Sequence, residues 1–349
     1  MQYFCQWRVE PTKIGGDYSQ VTIDVIRMID NDFHYPLLYK APGGSGLQIP
    51  HKRIGVTMLR RACGVLLLTA LSVVMGLAQQ PTGYLDVFIV KVKPEKRAEF
   101  DLVNKKIAEA NRRHQGDTWL AYETAYGEGN TVVFSSARAS YLDAEKSYDV
   151  FKGALGKAYG EAGAKALYQE FNSTLESSRS ELRRRRWDLS YNAPADSAAY
   201  FQAVGNARWI RSAIVRARPG HQLELEALLK DINAAAQKSN QPGMRWVSQV
   251  VEGGNPLTYY VSRLLTSIGE MDKTPTLREI LGDEGYDKFL KTNAEAVAGS
   301  EYVIYQILPE ISNPPAEVTA VAPDYWNPRP KAAATPKPKA ADAAKPAAQ

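Results

Sequence analysis

The stretch DVFIVKVKPEKRAEFDLVNKKIAEA (86–110) reads as a short strand, a proline turn and an amphipathic helix, and the chain contains it twice. Its second copy is RSAIVRARPGHQLELEALLKDINAA (211–235). At an offset of 125, Val90 meets Val215, Lys91 meets Arg216 and Pro94 meets Pro219. The helix that follows keeps one apolar face in both copies: Phe100/Leu225, Val103/Leu228, Ile107/Ile232 and Ala110/Ala235. That spacing is the stripe of a helix lying on a sheet.

The repeat continues. TWLAYETAYGEGNTVVFSSARASYLDAE (118–145) aligns with RWVSQVVEGGNPLTYYVSRLLTSIGEMD (245–272) at an offset of 127, pairing Trp119 with Trp246, Phe134 with Val261 and Ser135 with Ser262. Each half reads as two strands around a Gly/Asn turn, GEGN or EGGN. Asp143 and Glu270 align just after the second of these strands, where a carboxylate caps a helix. A second helical region follows at about 148–176 and 276–298, then a strand at 181–190 and 303–312. Each unit is therefore βαββα with a closing strand, an α+β sandwich of one sheet and one helical layer.

Strand one is apolar on both sides. Phe88, Val90 and Val92, with Ala213, Val215 and Ala217 in the second copy, face the helices; Val87, Ile89 and Ile214 face the other way. A sheet apolar on its second face must cover it, and the other copy is the available cover. Two sheets meeting this way close into a barrel within one chain. This arrangement, with the VKP/ARPG corner between strand and helix, resembles the dimeric α/β-barrel superfamily of ferredoxin-like units, which includes antibiotic-monooxygenase-like and stress-responsive barrel proteins. The resemblance covers about 83–311 and makes the chain look like a tandem fusion of two units, a monomer with an internal pseudo-dimer. It implies fold more strongly than activity.

The segments outside the repeat have their own character. MLRRACGVLLLTALSVVMGLAQQ (58–80) has two arginines, an apolar run and Gly76-Leu77-Ala78 before Gln79. That is the layout of a cleaved signal peptide, 58–78. It predicts export to a periplasmic or extracellular space without stable membrane insertion, and makes residues 1–57 an over-extended, disordered N-terminus. Both cysteines, Cys5 and Cys63, lie upstream of the cleavage point, so the mature chain has no disulfide and no thiol chemistry. The units are expected at 83–191 and 208–311, joined by a linker at 192–207. Residues 312–349, rich in Pro, Ala and Lys, are expected to be a disordered tail, either a spacer or a basic arm for an anionic envelope polymer.

The net charge is +5, but residues 79–311 carry 30 basic and 30 acidic side chains. The folded part is formally neutral, which argues against nucleic acid as a partner. Within it, Arg183, Arg184, Arg185 and Arg186 stand out. On a strand, Arg183 and Arg185 point one way and Arg184 and Arg186 the other. The second copy has Tyr305, Gln306, Ile307 and Leu308 there. One reading sends a pair into the barrel to fork onto a carboxylate or phosphate. The plainer reading places the strand near a sheet edge, with the arginines paired to helix carboxylates. Lys91 and Arg216 either bind an anionic ligand at matching positions or mark solvated strand ends. Trp119 and Trp246 read as core anchors on strand two rather than a stacking platform.

His114 and His221 are the histidines left after residue 80; neither position suits a haem ligand, so no cofactor and no metal site are expected. No P-loop, nucleotide fingerprint, zinc-protease motif or nucleophile elbow is present. The expected function is binding of a small, partly apolar or anionic ligand between the sheets. The resemblance also implies a cofactor-independent oxygenase or isomerase, and a third reading is an envelope-associated interaction protein.

Overall fold

The computed structural model describes residues 83–327, all within one compact unit. The expectations for 1–57, for the signal segment and for the tail beyond 327 fall outside the described residues. The first half runs β1 (Tyr84–Val92), α1 (Arg97–Arg113), β2 (Leu120–Tyr126), β3 (Thr131–Arg138), α2 (Tyr141–Ser173) and β4 (Leu175–Arg185). A helix α3 (Ser197–Asn206) follows. The second half repeats the order as β5 (Trp209–Ala217), α4 (Gln222–Lys238), β6 (Trp246–Glu252), β7 (Thr258–Leu265), α5 (Leu277–Ala296) and β8 (Val297–Ile307), then α6 (Ala316–Val321) and α7 (Pro323–Trp326).

The eight strands form one closed antiparallel barrel in the order β1-β3-β2-β8-β5-β7-β6-β4. Each half supplies the ferredoxin-like sheet β4-β1-β3-β2 or β8-β5-β7-β6, and the seams β2–β8 and β4–β6 join them. Tyr84 pairs with Arg138 and Arg184; its counterpart Trp209 pairs with Leu265 and Gln306. Both first strands carry a bulge at the same place, Lys91/Val92 and Arg216/Ala217. The fold is thus the expected α+β barrel.

The strand faces divide three cores. Val90, Val92, Phe100, Ile107 and Phe171 are buried between the first sheet and its helices. Ala217, Leu225 and Tyr259 do the same in the second half. Val87, Ile210, Ile214 and Val303 belong to the barrel interior, with Ile89 against them. The division of β1 and β5 into a helix face and an interior face follows the alternation of the sequence. Helix starts are set by local chemistry too. At the start of α2 the Asp143 N–H donates to Ser140 Oγ and the Asp143 carboxylate accepts from the Ala139 N–H, and Glu270 closes a capping box with Ser267. Both long helices break at an equivalent glycine, Gly160 (φ 67°) and Gly282 (φ 70°).

Three details differ from the sequence reading. First, Leu120 pairs with Ser135 while Trp246 pairs with Ser262, so Trp246 corresponds to Leu120 and not to Trp119. A slip of one residue turns a side chain to the other face. Trp119 accordingly lies in the helix layer, edge-on to Phe151, its Nε1 donating to the Ile311 carbonyl at 2.9 Å. Trp246 lies inside the barrel. Second, β4 starts at Leu175, directly after α2, and sits between β1 and β6; closure leaves it no edge. The polar run Glu176–Ser178 hid this start because it lies at the solvent-facing rim. Third, the fold continues past Ile311. Asn313 pairs with Trp119, and α6 and α7 cross the barrel end beside α3, with Trp326 fully buried and its Nε1 bonded to the Gly205 carbonyl at 2.9 Å. A Cβ on Gly205 would stand 2.5 Å from the Val321 Cβ, so glycine permits this crossing.

Candidate functional site

The barrel encloses a cavity of about 550 Å³. Its floor is made by α3 and α6 through Tyr200, Phe201, Val204 and Val318. Its opposite rim carries Lys91, Glu128, Arg179, Glu301 and Tyr302, of which Tyr302 is 60% exposed. The rim is formed where β1 and β2 end and β3, β4 and β8 begin, so its polar residues face solvent at strand termini.

Halfway down, β4 places a charged cluster on the interior. Arg183 and Glu181 are two residues apart on one face and both are buried. Arg183 Nε donates to Glu181 Oε2 at 2.8 Å, and its guanidinium carbon lies 3.4 Å from the centre of the Tyr260 ring. Tyr260 Oη donates to the same Glu181 oxygen at 3.2 Å, and Arg179 approaches Oε1 at 3.5 Å. Across the cavity, Tyr122 and Tyr305 meet edge to face at 5.1 Å. Burial pushes the Tyr122, Tyr260 and Tyr305 phenols above the ordinary tyrosine range, so all three remain neutral donors at neutral pH.

Arg185 sits nearer the floor. It follows Arg183 by two residues and shares its face. Its guanidinium carbon is 5.3 Å from the Trp187 ring, 5.7 Å from Trp246 and 5.8 Å from Tyr200. Tyr200 in turn stacks on Trp246 at 5.3 Å and 18°. One Nη reaches the Tyr200 hydroxyl at 3.3 Å, but the buried Nε has no hydrogen-bond partner. Among the described residues Arg185 forms no ion pair. A cation of this kind, held by rings and lacking a counter-ion, is equipped to receive an anionic group.

The other candidates divide as follows. Arg184 is exposed on the outer face. Arg186, also outward, is buried and grips Glu226 with both nitrogens, at 2.6 and 2.8 Å, while also binding Asp188. It is thus the structural ion pair that the plainer reading assigned to the whole run. Lys91 lines the rim and is paired with Glu128 at 2.5 Å. Arg216 is exposed at the end of β5 and does not line the cavity. The sequence reading missed Glu181, Tyr200, Tyr122, Tyr260 and Tyr305. Glu181 had a visible signal, two residues before Arg183 on the same strand face; the tyrosines needed the cross-strand register.

Haem fits this interior poorly. His114 and His221 cap the outer ends of α1 and α4, and His221 faces Glu224 at 3.8 Å. Neither reaches the cavity, and no group of three metal-ligating side chains occurs among the described residues. No helix of the described residues is long and apolar enough to cross a membrane.

No family model and no curated protein matches the chain. Solved structures do. It is similar to an anthrone oxidase-like protein, at 15% identity and a TM-score of 0.44 over 66% of this chain and 93% of the other. It is also similar to a heme-binding protein from Thermus thermophilus, at 12% identity and a TM-score of 0.39 over 66% and 93%. A chlorite dismutase variant from Candidatus Nitrospira defluvii aligns at 9% identity and a TM-score of 0.40 over 70% and 96%.

Proposed function

We propose that the protein binds a small, partly aromatic anion inside the barrel, with the anionic group on Arg185. The observation that carries this reading is the Arg185 guanidinium, without an ion-pair partner among the described residues and framed by Trp187, Tyr200 and Trp246 within a 550 Å³ space. The equivalent position in the second half is Ile307, so the fold does not need a charge there. Around it, apolar walls such as Ile210 and Leu264 suit a ring system. The chain is further read as a tandem fusion of two ferredoxin-like units acting as a monomer, supported by the matching registers and bulges of β1 and β5. Export through the 58–78 segment is part of the same proposal and rests on its three-part layout.

The test uses 8-anilinonaphthalene-1-sulfonate and its uncharged relative N-phenyl-1-naphthylamine, followed by fluorescence on the folded protein. Arg185→Gln is expected to weaken the sulfonate at least tenfold and leave the neutral dye unchanged. Equal loss of both dyes, or of neither, would overturn the reading.

A second reading, a cofactor-independent isomerase or oxygenase, is favoured by the Glu181–Arg183–Tyr260 cluster, of which Arg183 and Tyr260 line the cavity. Glu181 would then be the proton acceptor. Its oxygens are already engaged by Arg179, Arg183 and Tyr260, which favours the binding reading. Solvent-deuterium incorporation into an added aryl ketone, lost in Glu181→Gln, would favour catalysis; no incorporation would remove it.

A further inference from the structure

A second pocket, of about 230 Å³, lies on the outside of the second half. There the loop after α4 meets the segment between β7 and α5, and Arg245, Arg263, Lys273 and Thr274 line the space. Arg263 donates to Thr274 Oγ1 at 2.9 Å. Arg245 reaches Asn233 Oδ1 at 3.3 Å and lies 4.9 Å from the Tyr191 ring centre. Neither guanidinium has an ion pair among the described residues. Glu270, the one carboxylate among the described lining residues, attracts Arg263 without forming an ion pair with it; its Oε1 accepts from the Thr266 backbone N–H at 2.8 Å, from its hydroxyl at 2.5 Å and from the Ser267 N–H at 3.3 Å.

The cations crowd one another as well. Arg211 stands directly opposite Arg263 across the β5–β7 pair, and like charges in such positions repel. Burial, then the neighbouring arginine, holds both Arg245 and Arg263 below the usual guanidinium range. The first half differs at this corner: Ser136 is the counterpart of Arg263, Asp86 that of Arg211, and the arginine present, Arg138, is the counterpart of Leu265. Arg138 is clasped there by Asp117 through two bonds of 2.7 Å, with Asp86 at 3.6 Å. The bridges Trp119–Asn313 and Tyr191–Arg245 align the two loops and put Gly243 where the first half has Asp117. A Cβ at Gly243 would lie 3.3 Å from Arg263 Nη2. Where the first half sets Asp117 against Arg138, the second has Gly243 beside Arg263 and leaves Arg245 and Arg263 at an open pocket.

We propose that this pocket is an anion site, separate from the barrel cavity, in which the oxyanion of a phosphomonoester takes the place of the missing carboxylate on Arg245 and Arg263. Two guanidinium forks and Lys273 match a dianion better than a single carboxylate. The space exceeds what a bare phosphate fills and leaves room for a small organic substituent.

Calorimetry on the full chain in phosphate-free buffer tests this, with inorganic phosphate and the ring-free monoester glycerol 3-phosphate as probes and acetate as the monoanion control. Saturable binding of both phosphates is expected, with acetate at least tenfold weaker. Arg263→Gln and Arg245→Gln should each raise the dissociation constant at least tenfold, while Arg185→Gln leaves it unchanged. Absence of saturable binding, unchanged affinity in both outer variants, or loss in Arg185→Gln alone would overturn the site. The last result would relocate the anion to the barrel and leave the reading of the cavity standing.

Discussion

Arg183 lies over Tyr260 with 3.4 Å between guanidinium carbon and ring centre, and both side chains bind one oxygen of Glu181. A buried cation thus shares its counter-ion with the ring beneath it. Removing the carboxylate leaves Arg183 uncompensated. Glu181→Gln is expected to destabilise the fold by about 3 kcal/mol, at the low end for a broken buried pair because the cavity admits water. Tyr260→Phe keeps the ring and loses one hydrogen bond, about 1 kcal/mol. Urea denaturation with unchanged slope checks both; equal effects would mean that the Tyr260 hydroxyl matters to this cluster as much as the Glu181 charge.

Arg185 predicts the opposite sign. Among the described residues it has no carboxylate partner and its Nε is unsatisfied, and its counterpart is Ile307. Arg185→Ile is expected to leave the melting temperature of the ligand-free protein unchanged or raise it, since the substitution removes a partly desolvated charge. A fall of more than a few degrees would show that the rings, not a ligand, are the partner this cation serves.

The outer ion pair carries an acid sensitivity. Hydrogen bonds from Arg186, with smaller help from Tyr259 and Gln222, hold the Glu226 carboxyl down at about 2. A carboxylate depressed in the fold contributes stability that is complete above its unfolded pKa and lost as pH falls through the folded one. The contribution, of order 3 kcal/mol at most, should fade between about pH 5 and pH 2. Unfolding free energy measured across that window is expected to slope less in Glu226→Gln than in the parent; parallel slopes would assign acid sensitivity elsewhere.

Two glycines of one helix should respond in opposite ways. Gly160 has φ 67° and ψ 171°, a region open to glycine alone, and Gly160→Ala is expected to cost about 1–3 kcal/mol. Gly156 is inside α2, and a Cβ added there would meet nothing within 4 Å, so Gly156→Ala should gain roughly 0.5–1 kcal/mol. Thermal unfolding of the two variants distinguishes a required break from an incidental one. Gly282→Ala should repeat the Gly160 result in the second half.

The two-copy pattern made the barrel readable, because Val87, Ile89 and Ile214 were apolar on a face that only another sheet could cover. Alternation likewise sorted Arg183 and Arg185 from Arg184 and Arg186. What stayed hidden depended on register. Trp119 and Trp246 align in sequence, yet a one-residue difference in strand pairing puts them in different layers. Tyr122, Tyr260 and Tyr305 come from three strands and meet Arg183 only after closure. The α6 and α7 helices were unreadable because so short a segment is ordered by what it covers, and Trp326 has its partner 121 residues earlier at Gly205.

That covering gives the cavity a direction. With α3 and α6 packed across one end, a guest enters past Lys91 and Glu128 and meets Arg185 last. An anion bound there travels charge-first, shedding its hydration beside the neutral phenols of Tyr122 and Tyr305 before it gains the cation. If the proposed anion binds there, such a path would make capture slow and escape slower, so occupancy would persist through dilution and follow the history of the sample more than the momentary ligand concentration.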